Sequence, residues 1–146
     1  MKNTLVESPP MRLTRAYEFA ASHRLYSRHL TEEQNLELFG KCSYPNGHGH
    51  NYVLEITVEG PIDPQSARVI DPVSLDEIVN REIVDRYDHR HFNHDIPEFT
   101  DLVPSTELVT KVAWERLVDH IPPPARLISV AIQETARNKF EYRGEI

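Results

Sequence analysis

At 146 residues the chain suits one domain, long enough to bury roughly two thirds of the surface its unfolded form exposes. Its 23 acidic and 16 basic residues give a formal charge of −7, and with no basic run or basic-aromatic alternation this argues against a nucleic-acid partner. One cysteine excludes an intrachain disulfide and fits a reducing compartment, no stretch approaches the length of a transmembrane segment, and the first ten residues lack the apolar centre of a signal peptide, so a cytoplasmic protein without membrane contact is expected.

Residues 1–10, ending Ser8-Pro9-Pro10, are expected to be a loose tail, and 11–146 a single domain. Met11 to Ala20 alternates, with Met11, Leu13, Tyr17 and Phe19 on one side and Arg12, Thr14, Ala16 and Glu18 on the other, which predicts a first strand. Thr31-Glu32-Glu33-Gln34 has the form of a capping box and Gly40 supplies a stop, so Glu32 to Phe39 reads as a short inserted helix. A second strand runs from His48 to Glu59, paired antiparallel with the first and closed by Gly60-Pro61. Arg68 to Asp71 reads as a brief extended return. Ser74-Leu75-Asp76-Glu77 then opens a helix to about Arg86, with Leu75, Ile78, Val79 and Ile83 at helical spacing.

A further helix begins at Ser105 or Thr106 and carries Leu108, Val109, Val112, Ala113, Leu117 and Val118 inward. After Pro122-Pro123-Pro124, Arg126 to Glu134 alternates with Ile128, Val130 and Ile132 on one face. Lys139 to Tyr142 forms a last strand, reached through a turn near Ala136 to Asn138. Leaving the short insertion aside, the order ββααββ implies an α+β fold: a four-stranded antiparallel sheet with two helices on one face. Its open edges invite assembly into a closed ring.

The stretch most suggestive of chemistry is Cys42-Ser43-Tyr44-Pro45-Asn46-Gly47-His48-Gly49-His50-Asn51-Tyr52. Alternation puts His48 and His50 on the same face of the second strand as Tyr52, Leu54, Ile56 and Val58. Same-face neighbours sit roughly 6.6 Å apart along a strand, a gap two imidazoles can close on one zinc ion. Gly47 and Gly49 lack a Cβ, so the backbone has room to bend there and admit a ligand. A catalytic zinc usually takes three protein ligands and keeps one open position. His23, at the end of the first strand, is the best candidate for the third.

Tyr87-Asp88-His89-Arg90-His91-Phe92-Asn93-His94 supplies three more histidines. Asp88 and His89 read as a carboxylate orienting an imidazole for proton transfer, His91 and His94 as solvated loop residues, and a second metal site from His89 and His91 as a weaker alternative. Glu134 falls on the apolar face of its strand. It reads either as a strand end facing water or as an anchor for a ligand.

Phe19-Ala20-Ala21-Ser22-His23-Arg24-Leu25, Phe39-Gly40-Lys41-Cys42 through Gly47-His48-Gly49-His50-Asn51-Tyr52, Asp88-His89, Glu134-Thr135 and Tyr142-Arg143-Gly144-Glu145 together resemble the 6-pyruvoyl-tetrahydropterin synthase family of tunnelling-fold pterin enzymes, from about Met11 to Gly144. The resemblance implies zinc held by His23, His48 and His50. It also implies a barrel made by three subunits, two such trimers stacked as a homohexamer, and active sites between subunits. Carried over by position, Cys42 is the general base, Asp88 and His89 are a proton relay from a neighbouring subunit, and Glu134 anchors the pterin ring. Ser105, Thr106 and Glu107 match a second patch around that ring, and Arg24 and Lys41 are cationic candidates for the triphosphate.

The implied reaction converts 7,8-dihydroneopterin triphosphate to 6-pyruvoyl-tetrahydropterin, the pyruvoyl branch. The carboxy branch, serving queuosine biosynthesis, shares fold, substrate and zinc ligands, and Val69-Ile70-Asp71 is similar to it. The five residues between Cys42 and His48 and the Pro45-Asn46-Gly47 run are similar to the pyruvoyl branch and weigh more, because that loop carries the expected base. A catalytically silent zinc- or pterin-binding hexamer is the remaining alternative. Cys42, Asp88 and His89 together speak against it, since a scaffold needs neither thiol nor relay.

Overall fold

The computed structural model describes residues 10–144. The expected tail, apart from Pro10, and Glu145 of the last motif lie outside them. Two 13-residue strands dominate the molecule, β1 (Met11–His23) and β2 (His48–Gly60). They pair antiparallel over their whole length, from Met11 opposite Gly60 to His23 opposite His48. β1 thus runs three residues past the expected end, and that extension carries His23 to the mouth of the sheet.

Between them, helix α1 (Glu32–Phe39) begins at the expected capping box. The Thr31 hydroxyl accepts the Gln34 N–H at 3.1 Å and the Gln34 side chain accepts the Thr31 N–H at 2.9 Å. Helix α2 (Pro72–Val79) starts ahead of Ser74. Asp71 is its cap, accepting the Val73 N–H at 3.1 Å, and Pro72 fills the first turn, where a missing N–H costs nothing. Arg68 to Asp71 forms no strand. The helix continues through a π-turn, Asn80–Val84, and a last turn, Asp85–Tyr87. With the π-turn's wider winding, Leu75, Val79, Ile83 and Tyr87 are all fully buried.

Among the described residues the sheet has five strands where four were expected. β3 (Arg90–His91) lies on the free edge of β1 and runs parallel to it, Ala21 opposite Arg90 and Ser22 opposite His91. Two residues are too few to show alternation, and local bonds set the pairing. The Asp88 carboxylate accepts the Ala20 N–H at 2.9 Å, and the His89 N–H donates to the Ala20 carbonyl at 2.6 Å. Helix α3 (Thr106–Leu117), capped by Ser105, leads to β4 (Arg126–Gln133) and β5 (Lys139–Tyr142), giving the order β3-β1-β2-β4-β5.

On β4 a bulge corrects the expected face. Leu127 pairs with Val58 but Ser129 with Thr57, so Ile128 is the extra residue, and Leu127, Val130 and Ile132 enter the core. α2 and α3 cover one face of the sheet, packing Leu75, Val79, Ile83, Val109, Ala113 and Leu117 on Phe19, Tyr52, Leu54, Ile56 and Val58. Each such fully buried side chain contributes about 1.5–3 kcal/mol relative to exposure. Val118, expected inward, is exposed. The opposite face is polar, tied by Arg12 to Glu59 at 2.7 Å and Lys139 to Glu55. Among the described residues no helix is long and apolar enough to cross a membrane.

Candidate metal centre and active site

The register of β1 on β2 sets His23 directly opposite His48, with His50 two residues further along the same face of β2. Their ligand-capable nitrogens all lie within 4.8 Å of one another, the only such group of three among the described residues. His23 is 1% exposed. Its Nδ1–H donates to the Pro104 carbonyl at 2.7 Å, which fixes the tautomer and leaves the Nε2 lone pair facing His48 Nε2 at 3.0 Å. Burial pushes the His23 pKa down to about 4 against the pull of the Pro104 carbonyl, so the ring is neutral near pH 7. Burial, and then the charge of His50, lowers His48 as well.

His50 Nε2 is buried and has no hydrogen-bond partner among the described residues. A buried ring nitrogen without a partner is costly in a protein interior, and a cation set among the three would engage it together with the facing nitrogens of His23 and His48. Nitrogen ligands bind zinc at about 2.0–2.1 Å, which sets them about 3.4 Å apart around a tetrahedral ion. The donor set therefore fits a divalent, imidazole-binding metal.

Glu134 follows β4 and turns its carboxylate to this same pocket. Its side chain is 17% exposed, with Oε2 4.0 Å from His23 Nε2, and that oxygen accepts a hydrogen bond from the Thr106 hydroxyl. Because the His23 ring is neutral, the approach is not an ion pair. Ser105 spends its hydroxyl as the cap of α3, accepting the Leu108 N–H at 3.3 Å. Glu107, in the first turn, is exposed. Tyr52, between His50 and the aromatic core, has a buried hydroxyl with no partner among the described residues, and burial and the Glu134 charge both raise its pKa.

Cys42 lies in the 3-10 turn Gly40–Ser43 that links α1 to the loop before His48, half-buried and unpaired. Asp88 and His89 form the expected pair, His89 Nδ1 to Asp88 Oδ2 at 2.9 Å, with the His89 side chain 83% exposed. The Ala20 N–H, and then His89, hold the Asp88 carboxyl below its usual range. This pair sits at the β1 edge of the sheet, beside Ala20. Asp88 borders a 480 Å³ hollow lined by Glu18, Ala20, Asn51 and Val53, of the row alternate to the one bearing the imidazoles, together with Phe19 and Tyr52. Among the described residues no hydrogen bond joins Asp88 or His89 to His23, His48 or His50.

His91 and His94 stack on each other at 4.2 Å between ring centroids and, among the described residues, join no metal-ligand group. Arg24 is engaged internally, with Nε donating to the Ser43 carbonyl at 2.7 Å and its guanidinium over the Tyr26 ring. Lys41 is exposed. The Pro104 carbonyl, which orients His23, had no signal in the sequence, since any residue type brings a carbonyl.

A model of the family described as 6-pyruvoyl tetrahydropterin synthase matches residues 12–145. The chain is 43% identical over 133 residues to a 6-pyruvoyl tetrahydrobiopterin synthase of Pongo abelii, covering 91% of each chain. To the Homo sapiens protein of that name it is 42% identical, again over 91% of each. The structure of Caenorhabditis elegans 6-pyruvoyl tetrahydropterin synthase superposes with a TM-score of 0.89 at 37% identity, covering 95% of this chain and 99% of that one.

Proposed function

This chain belongs to the 6-pyruvoyl tetrahydropterin synthase family, and from that premise we propose that it is a zinc-dependent lyase converting 7,8-dihydroneopterin triphosphate to 6-pyruvoyl tetrahydropterin with loss of triphosphate. The observation that carries the reading is the approach of Glu134 Oε2 to His23 Nε2 at 4.0 Å, which puts a pterin anchor beside a three-imidazole cluster. His23, His48 and His50 hold the metal, and zinc bound there supplies a Lewis acid for the side-chain oxygens of the substrate.

The chain's own groups do the rest. Glu134 accepts parallel N–H bonds from the amino and ring nitrogens of the pterin, and the Thr106 hydroxyl on Oε2 fixes the carboxylate plane. Ser105 and Glu107 complete that patch from the start of α3. The Cys42 thiolate takes a proton from a side-chain carbon of the substrate. Asp88 holds His89 through Nδ1, leaving Nε2 to carry the second proton. Triphosphate leaves, the side chain becomes a diketone and the ring gains the hydrogens, so electrons balance without an external oxidant.

The relay acts from a neighbouring subunit in a homohexamer of two stacked trimers whose sheets join into a barrel. The position of Asp88 at the β1 edge, beside the row alternate to the imidazoles, supports this arrangement. We place residues 11–146 in one domain and the enzyme in the cytoplasm, which the single cysteine supports.

The test is mass-spectrometric product analysis after incubating zinc-loaded protein with 7,8-dihydroneopterin triphosphate, with Cys42→Ala alongside. A 6-pyruvoyl pterin is expected, and Cys42→Ala is expected to retain zinc and assembly but not turnover. A 6-carboxy pterin with acetaldehyde and triphosphate would move the protein to the carboxy branch. No turnover by fully zinc-loaded hexamer would make it a silent binding protein.

A further inference from the structure

Beyond His23 the chain leaves β1, and the main chain of the next residue, Arg24, is paired by no strand among the described residues. Its two polar groups are taken by a single side chain. Asn93 Oδ1 accepts the Arg24 N–H at 2.8 Å, and Asn93 Nδ2 donates to the Arg24 carbonyl at 2.8 Å. A primary amide offers the same donor and acceptor as a peptide unit. Asn93 thus continues, two residues further on, the parallel register that Ala21 and Ser22 make with Arg90 and His91.

Held in this way, Arg24 reaches toward the turn that bears the thiol. Its Nε donates to the Ser43 carbonyl at 2.7 Å, its guanidinium stacks 3.7 Å from the Tyr26 ring centroid, and the next N–H, that of Leu25, donates to the Cys42 carbonyl at 2.8 Å. Two consecutive carbonyls, Cys42 and Ser43, are therefore held from two consecutive residues. The other bonds of the turn are local, Ser43 Oγ to the Gly40 carbonyl at 2.8 Å and the Tyr44 N–H to the Lys41 carbonyl at 3.2 Å. Among the described residues, the hydrogen bonds tying Cys42 and Ser43 to distant parts of the chain come from Arg24 and Leu25.

We infer that Asn93 is a positioning residue for Cys42, acting through Arg24. Its consequence for rate rests on the proposed role of Cys42 as base. Asn93 touches neither the imidazole cluster nor Glu134 by any hydrogen bond, so its effect reaches the reaction by way of the Arg24–Ser43 and Leu25–Cys42 bonds. Small displacements of a reacting group are costly: about 1 Å of misplacement can lower a rate on the order of 100-fold.

The test uses the full-length, zinc-loaded protein and three variants. Asn93→Leu keeps size and loses both bonds, Asn93→Asp keeps the acceptor for the Arg24 N–H, and Arg24→Lys keeps the charge but loses the Nε donor and the planar face. For each, kcat and KM, zinc content, assembly and the rate of Cys42 alkylation by iodoacetamide across pH are measured. Asn93→Leu and Arg24→Lys are expected to lower kcat by about tenfold or more with KM within about threefold. They are also expected to shift the alkylation profile at full zinc content, and Asn93→Asp to recover part of both.

Parental kcat and alkylation profiles in these variants would overturn the inference, as would a fall in kcat that merely tracks lost zinc or lost assembly. If Asn93→Leu does not assemble, Asn93→Asp and Arg24→Lys decide by the same criteria. Full turnover by Cys42→Ala would remove the base role, while the alkylation profile would still decide whether Asn93 positions Cys42.

Discussion

His23 Nε2 and His48 Nε2 face each other at 3.0 Å, and His23 arrives with its Nδ1 already committed to the Pro104 carbonyl. The bond to Pro104 makes His23 Nε2 an acceptor, so the close approach is comfortable only when His48 donates to it or a cation lies between them. The Nε2 of His50, buried and without a partner among the described residues, completes the set of three facing nitrogens.

Metal addition should therefore stabilise the folded protein. Zinc at about 1,000 times its dissociation constant is expected to add about 4 kcal/mol, seen as a rise in Tm that a chelator reverses. His48→Ala or His50→Ala should abolish the rise. A rise of the same size in His50→Ala would remove that residue from the metal site.

The carboxylate of Glu134 is held by the Thr106 hydroxyl, and neither group is needed to build the metal centre. Glu134→Gln should keep full zinc content yet lose a charge-assisted bond worth about 1.5–3 kcal/mol, equivalent to a roughly 10- to 100-fold rise in the dissociation constant for the pterin. Thr106→Val should raise it less, because the anion remains while its orientation loosens. Equilibrium titration with the substrate's pterin, by fluorescence, checks both. An unchanged constant in Glu134→Gln would place the pterin elsewhere.

Much of this was legible in the sequence where a regular pattern spans many residues. Strict alternation from His48 to Val58 marked β2 and put His48 and His50 on one face, and Thr31 with Gln34 marked α1. Patterns failed where a single local bond decides. Two residues of β3 are placed by Asp88 and His89 bonding to Ala20, Asp71 rather than Ser74 caps α2 because it precedes Pro72, and the bulge at Ile128 exchanges it for Leu127. His23, His48, His50 and Glu134 were legible as candidates by residue type, and the structure brings the four together. The Pro104 carbonyl and the amide of Asn93, which orient their neighbours, were not legible.

The segment leading to Asp88 is pinned by Arg86, whose guanidinium meets Glu98 at 2.8 and 3.0 Å. That fork holds the Glu98 carboxyl below its usual 4.5. A depressed folded pKa means the stabilisation is fully present above 4.5 and is lost as pH falls through the folded value. The urea midpoint of the parent should exceed that of Glu98→Gln at pH 7, and the gap should close as pH falls below about 4.5. A gap that stays constant to pH 3 would show that the pair contributes through shape rather than charge.

Gly47 and Gly49 flank His48, and the sequence suggested the same freedom for both. The structure separates them. Gly47 has φ +68°, and a Cβ there would stand 2.6 Å from the His23 carbonyl oxygen and 3.1 Å from His91 Nε2. The space it leaves is thus filled by the backbone of one candidate metal ligand and the ring of a neighbouring histidine. At Gly49 a Cβ would meet the Ala21 carbonyl oxygen at 3.5 Å, an ordinary contact, with no positive φ. Gly47→Ala must strain the backbone and push on His23 together, costing about 1–3 kcal/mol and weakening metal affinity, because the displaced residue is itself a candidate ligand. Gly49→Ala should change stability by about 0.5 kcal/mol or less. Thermal melts and zinc titrations of the two variants side by side check this, and equal losses in both would mean that the crowding against His23 does not govern the site.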